Sequence, residues 1–182
     1  MYAVFDIETG GLNSRMHALL SVAVVLLDKN LDETDFYYSL VKEEGKAITP
    51  EATAINGITA EMVEQDGVLI DKVLDTIEDM LMWNIPVCHN AKFDIGWINV
   101  LRPYNFKSAI DTMMISRFIS TSMSASLGAV CNRYKIPLTD AHNSLADTRA
   151  TADVLRNFAV QEADGYWKLA GYNVLEPKEI RF

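Results

Sequence analysis

The hydrophobic and polar positions of this chain divide it into a β-rich first part and a later part in which helices and strands alternate. Short runs of β-branched, aliphatic and aromatic residues predict the strands. The turn residues Gly10-Gly11 and Asp28-Lys29-Asn30 separate the first three runs, so we expect these strands to be antiparallel neighbours. The predicted strands cover residues 2–7, 19–27, 35–41, 85–89 and 108–111.

Apolar residues at helical spacing predict five helices in the later part of the chain. Either Asn143 or Ser144 is expected to cap the last of them, which is also the longest. The predicted helices cover residues 70–81, 92–101, 113–119, 127–134 and about 144–162. Strands first, followed by alternating helices and strands, are typical of an α/β fold in which helices flank a mixed sheet.

Length and composition indicate one globular domain. The chain has 182 residues, 49% of them hydrophobic, and no internal repeat or linker divides it. We expect one domain over residues 1–165 and a less regular C-terminal extension, 166–182, that packs on the domain or contacts a partner. The longest apolar run is too short to cross a bilayer, and no basic and apolar leader opens the sequence. We therefore expect a cytoplasmic protein with no membrane contact.

The chain is acidic, with a formal net charge of −9. This charge argues against a protein that binds a long stretch of nucleic acid through contacts with its phosphates. A nuclease that holds only a few nucleotides near one strand end remains compatible, because part of the acidity would belong to a metal site. For acidic pairs such as Asp32-Glu33 and Glu43-Glu44 we favour ordinary solvated surface.

Two acidic residues interrupt the first predicted strand. Asp6 and Glu8 lie two apart, so their side chains point to the same face of the sheet. Taken alone, they could also be ordinary acids on a solvent-facing edge strand. The Gly10-Gly11 pair that follows is expected to let the backbone turn and approach a ligand closely.

Three further residues, in two later segments, could join these acids. Asp94 begins a predicted helix, where an acid can also simply stabilise the helix N-terminus. His142 precedes the last helix and Asp147 follows five residues later, so the imidazole can lie above the carboxylate. Converging carboxylates repel one another unless cations lie between them, and Mg²⁺ prefers oxygen ligands. With an imidazole that accepts a proton from water, the set predicts a metal-dependent site that cleaves phosphodiesters.

Three motifs together resemble those of the DEDDh branch of the DnaQ-like 3′–5′ exonucleases. They are FDIETGGL at residues 5–12, HNAKFD at 89–94 and HNSLADTRATA at 142–152. The segment NGIT at 56–59 resembles a stretch that this family often carries before its first long helix. Many members have a histidine where this chain has Asn56. The resemblance extends from Met1 to about Ala159.

The resemblance implies a ribonuclease H-like mixed sheet of five strands, the first three antiparallel, with helices on both faces. It also implies two Mg²⁺ or Mn²⁺ ions, with His142 as the general base. Thr9 and Leu12 match positions that hold the terminal nucleotide in the family, and Phe93 is expected beside that pocket. The metal ligands implied in this way are Asp6, Glu8, Asp94 and Asp147.

The expected activity is removal of nucleoside 5′-monophosphates from single-stranded or frayed DNA 3′ ends, with DNA preferred over RNA. Processing of RNA 3′ ends is the alternative, since one site can cleave either sugar type. A non-catalytic scaffold subunit and a phosphatase or nucleotide hydrolase are also left open. Association with a polymerase or with another protein partner is left open too.

Overall fold

The structure is a computed structural model that describes residues 1–104, 106 and 109–162. Its strands are β1 (Tyr2–Thr9), β2 (Leu19–Leu27), β3 (Glu33–Lys42), β4 (Val68–Leu69), β5 (Ile85–Cys88) and β6 (Ile110–Asp111). Its helices are α1 (Pro50–Asn56), α2 (Ala60–Asp66), α3 (Ile70–Met82), α4 (Ala91–Leu101), α5 (Thr112–Ile119), α6 (Leu127–Tyr134) and α7 (Ser144–Glu162). All five predicted helices are therefore present.

The strands form one mixed sheet in the order β4-β3-β2-β1-β5-β6. Neighbouring strands β1, β2 and β3 are antiparallel, as predicted, whereas β5 and β6 run parallel to β1. The α/β fold with a mixed sheet is confirmed, but the expected count of five strands is one short. The additional strand, β4, lies between two helices and has only two residues, both exposed. It is too short for an alternation of polar and apolar positions to predict it.

The centre of the sheet is buried on both faces, and β1 sends alternate side chains into two different cores. Ala3, Phe5 and Ile7 pack in one core with α3 and α4. Val4 packs in a second core, together with apolar residues of α5, α6 and α7. Strand β2 lies between β1 and β3 and is buried almost throughout, which explains its nearly continuous run of Val and Leu.

Two short helices, α1 and α2, were not predicted. Each has seven residues, and a threonine side chain caps each N-terminus by accepting a backbone N–H. The caps are Thr49, which precedes Pro50 at the first helical position, and Thr59. Neither helix is long enough to show a helical hydrophobic period.

The last helix, α7, carries one of the site's carboxylates and packs across β1 and β2. Of the two residues expected to cap this helix, Asn143 is the one that caps it. Its Oδ1 accepts hydrogen bonds from the N–H groups of Leu145 and Ala146, both at 3.2 Å. Ala152, Leu155 and Phe158 form the buried stripe on the core side.

Two sequence predictions fall partly or wholly outside the described residues: the extension 166–182 and the start of the strand at 108–111. Within the described ranges, no helix is long and apolar enough to cross a membrane.

Candidate active site

The end of β1 presents the first two acids on the face that α7 covers. Asp6 and Glu8 lie opposite Ala23 and Ser21 of β2, and the register of the ladder shifts immediately after Glu8. A bulge of this kind twists a strand and re-aims its side chains, and it is common next to active sites. Because β1 lies in the middle of the sheet, both carboxylates are drawn away from solvent.

Helix α4 brings in the third acid. Asp94 lies in the first turn of α4 and is 3% exposed. Burial raises the pKa of Asp94 well above its usual range, while the backbone N–H groups of Asp94 itself and of Ile7 on β1 act to lower it. The negative charge of Asp94 raises the pKa of Asp6, so the two carboxylates face the same space.

The loop before α7 brings in the histidine and the fourth acid. The backbone N–H of His142 donates to Asp147 Oδ2 at 2.9 Å. This contact holds His142 in the left-handed region, at φ 69°, with an exposed side chain. Ligand atoms of Glu8, His142 and Asp147 all lie within 4.8 Å of one another. The structure thus brings together three of the five residues that the motifs single out, Glu8, His142 and Asp147. Asp6 and Asp94 interact with these acids through their charges.

Burial and mutual repulsion disfavour the ionised form of these carboxylates and raise their pKa values. Burial, and then the charges of Asp94, Glu8 and Asp147, raise the pKa of Asp6 well above its usual range. Burial, with a further contribution from Asp147, raises the pKa of Glu8 to about 7, against a hydrogen bond from Asn56 that lowers it. Burial also raises the pKa of Asp147.

These groups fit divalent cations. Asp147 Oδ1 is buried without a hydrogen-bond partner among the described residues, although Oδ2 is bonded. A buried, unpaired carboxylate oxygen is destabilising unless something else binds it. Oxygen donors that repel one another at one site are the ligands that Mg²⁺ and Mn²⁺ prefer. The donor atoms of Glu8, His142 and Asp147 are therefore compatible with a bound divalent cation.

A cavity of about 480 Å³ adjoins the acids. Thr9, Leu12 and Phe93, the three residues expected at a terminal nucleotide, all line it, as does Glu8. Leu12 is 87% exposed, so its side chain is accessible to a molecule in this cavity. We call this space the terminal cavity. Its volume is within the range of small-ligand sites.

Helix α1 supplies a wall of the terminal cavity that sequence reasoning missed. Asn56 hydrogen-bonds Glu8 and donates from Nδ2 to the Thr9 carbonyl at 3.3 Å. Its Oδ1 accepts the Ile58 N–H at 3.0 Å, which fixes the orientation of the amide. The segment resembling the family had drawn attention to Asn56, but no pattern in the sequence indicated that it contacts Glu8.

Asp111 is a second missed residue, because it was noted only as the end of a strand. Its carboxylate is 2% exposed and accepts four backbone N–H groups. Two of them belong to Asn90 and Ala91, at the entry to α4, and two to Met113 and Met114 in α5. Asp111 thereby fixes the start of the helix that carries Asp94.

The glycines after β1 have a different role from the expected close approach to a ligand. A Cβ on Gly10 would lie 2.6 Å from the Ala47 carbonyl oxygen, and one on Gly11 would lie 2.5 Å from the His17 ring. Gly10 also bonds through its N–H to Ala18 and through its carbonyl to Thr49. The space is thus taken by the chain itself, whose packing shapes the terminal cavity.

Comparisons with known proteins agree with this arrangement. The RNase T exonuclease family model matches residues 3–155. The PolC-type DNA polymerase III of Bacillus cereus is 31% identical over 164 residues, which cover 85% of this chain and 11% of that protein. The DNA polymerase III epsilon subunit of Buchnera aphidicola (subsp. Baizongia pistaciae) is 28% identical, over 83% of this chain and 67% of that protein. The chain thus spans about a tenth of the length of the PolC-type relatives.

Solved structures of other exonucleases share this fold. Exonuclease X in complex with 5′ overhanging duplex DNA superposes with a TM-score of 0.73 at 25% identity, over 90% of this chain and 93% of that one. E. coli exonuclease I in complex with an oligonucleotide gives a TM-score of 0.81 at 17% identity, over 92% of this chain and 43% of that chain. The family model, which covers most of the chain, decides the assignment. The chain belongs to the RNase T exonuclease family, and the PolC-type and epsilon-subunit relatives are consistent with the DnaQ-like resemblance of its motifs.

Proposed function

We propose that this exonuclease removes nucleotides one at a time from single-stranded or frayed DNA 3′ ends, releasing nucleoside 5′-monophosphates in a reaction that depends on divalent cations. One observation carries the proposal: Glu8, Asp147 and the exposed His142 cluster at a cavity of about 480 Å³, and the charges of Asp94, Glu8 and Asp147 act on the buried Asp6. A terminal nucleotide in that cavity has its 5′-phosphate next to the acids, because Glu8 belongs to both.

Asp6, Glu8, Asp94 and Asp147 would hold two Mg²⁺ or Mn²⁺ ions. When bound, such ions acidify a water molecule and stabilise charge on the phosphate and the departing oxygen. His142 takes a proton from the attacking water, since its imidazole is exposed at the edge of the acid cluster. The water oxygen bonds to phosphorus as the bond to the 3′ oxygen of the preceding nucleotide breaks. Asn56 holds the Glu8 carboxylate in place during this step.

The terminal cavity favours an unpaired nucleoside over a specific base. Its lining includes the apolar side chains of Leu12, Ile55 and Phe93, and apolar or aromatic contact with a base is tolerant of sequence. DNA is the preferred substrate in this proposal because the relatives are named as DNA polymerase III and because exonuclease X was solved with DNA. The same names make a polymerase the proposed partner.

The direct test compares Asp147→Asn with Asp153→Asn. Asp153 lies on the same helix, outside the site, in an ion pair with Arg156. The substrates are 5′-labelled single-stranded DNA, duplex DNA with a frayed 3′ end, and RNA of the same sequence, each with Mg²⁺ or EDTA. We expect a one-nucleotide ladder from DNA with Mg²⁺, at least 10²-fold slower in Asp147→Asn and unchanged in Asp153→Asn.

Other results would redirect the proposal. Faster digestion of RNA than of DNA would support RNA 3′-end processing instead. Full activity of both Asp147→Asn and Asp6→Asn in clean preparations would overturn the metal-dependent mechanism. No digestion of any substrate, together with no binding of Mg²⁺ or Mn²⁺ by calorimetry, would favour the scaffold alternative.

A further inference from the structure

The two edges of the sheet differ in how much of a strand they leave unpaired. One edge is β6, which has two residues, both buried. At the other edge, β4 pairs with β3 only at Val41 and Lys42. No described strand pairs with the preceding stretch of β3, residues 35–40, on the side away from β2. We call this stretch the free edge.

The free edge lacks the features that usually keep an edge strand from pairing with another chain. Such strands are typically interrupted by proline, by a bulge or by several charges. The free edge contains no proline and one charged residue, Asp35. Its ladder with β2 continues without a register shift from Leu40 to Asp35. The stretch is therefore regular enough to pair with one more strand.

One hydrogen bond identifies the backbone groups that point outward. The Phe36 N–H donates to Oδ1 of Asp35 at 2.8 Å, so it is not bound by β2. Backbone groups alternate between the two sides of a strand in an antiparallel ladder. The N–H and C=O groups of Phe36 and Tyr38 therefore point outward, whereas those of Tyr37 point to β2. An added strand can form its hydrogen bonds with Phe36 and Tyr38.

The free edge also exposes aromatic surface. Phe36 and Tyr38 are 50% and 39% exposed, and because they lie two apart they share one face of the sheet. On this face, α7 packs across β1 and β2, and the two rings on β3 stay open to solvent. The Arg149 guanidinium of α7 lies 4.9 Å from the centre of the Phe36 ring. Adjacent exposed aromatic rings beside an unpaired backbone edge are typical of a protein–protein contact.

A second copy of this chain fits the free edge because the stretch is complementary to itself. In an antiparallel pair centred on Tyr37, Phe36 of each copy is opposite Tyr38 of the other, so the outward backbone groups meet. Asp35 faces Ser39 of the other copy, and the two Asp35 residues are roughly 14 Å apart along the strands. Aromatic pairs across strands stabilise a sheet, and like charges do not meet.

Other registers are less favourable. A shift toward the C-terminal end of β3 brings the second strand against Val41, which already pairs with β4. A shift in the other direction brings the two Asp35 carboxylates closer together and extends the ladder into the irregular pairing between Asp35 and Glu33. The two ends of the free edge thus favour a centre at Tyr37.

We infer that the free edge pairs with the free edge of a second copy, so that the chain forms a two-fold symmetric dimer with one continuous sheet. The symmetry axis passes between the two Tyr37 residues, perpendicular to the sheet. The acid clusters of both copies then lie on the same side of the sheet. This inference does not depend on the proposed function.

The contact adjoins the active site. Tyr38 lies opposite Ala23, which in turn lies opposite Asp6, so the three side chains share one face. Burial, and then the charge of Glu8, raise the pKa of Tyr38. In the dimer, Phe36 of the second copy packs beside Tyr38 and borders the acid cluster.

A cysteine at the symmetry axis tests the pairing directly. In Tyr37→Cys the two new side chains form a non-hydrogen-bonded pair with Cα atoms about 4.5 Å apart, within the range for a disulfide. The natural cysteines, Cys88 and Cys131, are buried and should not react. Under mild oxidation we expect a disulfide-linked dimer of Tyr37→Cys. Neither Phe36→Cys nor Tyr38→Cys should link to itself, whereas a mixture of the two should form a mixed dimer.

Sedimentation equilibrium of the full chain measures the dimer without a cross-link. Phe36→Glu places two carboxylates near each other across the interface, whereas in a single copy Arg149 can pair with the new carboxylate. We expect this variant to raise the Kd of the dimer roughly tenfold or more and to keep its circular dichroism spectrum. The matched control is Phe118→Glu, at a 60% exposed position on α5, which should leave the Kd unchanged.

Three outcomes would overturn the inference. One is an unmutated chain that stays monomeric at every concentration measured. Another is a dimer whose Kd does not respond to Phe36→Glu and in which Tyr37→Cys forms no disulfide, because its interface then lies elsewhere. The third is efficient linkage of Phe36→Cys to itself without linkage of Tyr37→Cys, which would exclude the register centred on Tyr37.

Discussion

Glu8→Gln should stabilise the metal-free protein while abolishing its activity. Burial raises the pKa of Glu8 to about 7 from an ordinary value of 4.5. Ionisation of this side chain therefore costs more free energy in the folded protein than in the unfolded chain. Glutamine has nearly the same shape, can still accept the hydrogen bond from Asn56, and removes the charge. A residue that weakens the fold in this way is typical of a functional site.

The size of the effect follows from the two pKa values. Between pH 4.5 and 7 the folded protein binds more protons at Glu8 than the unfolded chain does, so the free energy of unfolding falls as pH rises. The cost of ionisation is about 1 kcal/mol at pH 5.5 and about 2–3 kcal/mol at pH 8, after allowance for solvent screening of a half-buried group. Glu8→Gln should recover this cost, with the larger gain at pH 8.

Urea denaturation in EDTA at pH 5.5 and 8 measures the gain. The control is Asp32→Asn, an exposed turn residue whose carboxylate makes no hydrogen bond or ion pair in the described part of the chain; it should change stability by less than about 0.5 kcal/mol. Adding Mg²⁺ should reverse the order, because the unmutated protein binds the ion more tightly. If Glu8→Gln in EDTA is no more stable than the unmutated protein at pH 8, repulsion and burial of Glu8 do not oppose folding as argued.

Three further substitutions, one of them with a matched control, test other parts of the site. His142→Asn, which tolerates the left-handed backbone at φ 69°, should slow turnover by about 10²-fold or more and leave Mg²⁺ binding by calorimetry nearly intact; an unchanged rate would remove His142 from the base role. Gly10→Ala should destabilise the protein by about 1–3 kcal/mol, since its Cβ meets the Ala47 carbonyl. By contrast, Gly128→Ala, with nothing within 4 Å, should be neutral or stabilising in urea. Asp111→Asn should cost about 2–3 kcal/mol and lower kcat, because one amide oxygen cannot accept all four N–H groups; equal stability and rate would contradict its role in placing α4.

The parts of the site that the sequence could predict are local. Asp6 and Glu8 share a face because strand side chains alternate, and His142 meets Asp147 because a loop of five residues closes onto the first turns of α7. The approach of Asp94 to these residues is long-range. It requires β5 to pair beside β1, and no spacing within the chain specifies that pairing. The motif resemblance supplied it.

The rest of the site depends on contacts that no periodic pattern encodes. Helix α1 buries none of its residues, so its sequence signals were limited to its two ends: Thr49 followed by Pro50 at the start and Gly57 after the last residue. The contact of Asn56 with Glu8 joins segments 48 residues apart in the chain. Asp111 has its role only because the entries to α4 and α5 meet.

The acidic balance of the chain and its site point to the same mode of action. In the described ranges, five of the twelve lysines and arginines form ion pairs within the molecule, and the groove beside Leu12 and Phe93 contains two that form none, Arg15 and Lys92. A strand held by about two phosphate contacts and one or two bases gains little affinity per additional nucleotide. The enzyme should therefore release its strand often, so that digestion is distributive. With labelled substrate in excess, all strands should shorten together by one nucleotide at a time, and a mixture of intact and fully degraded strands would contradict this view of the groove.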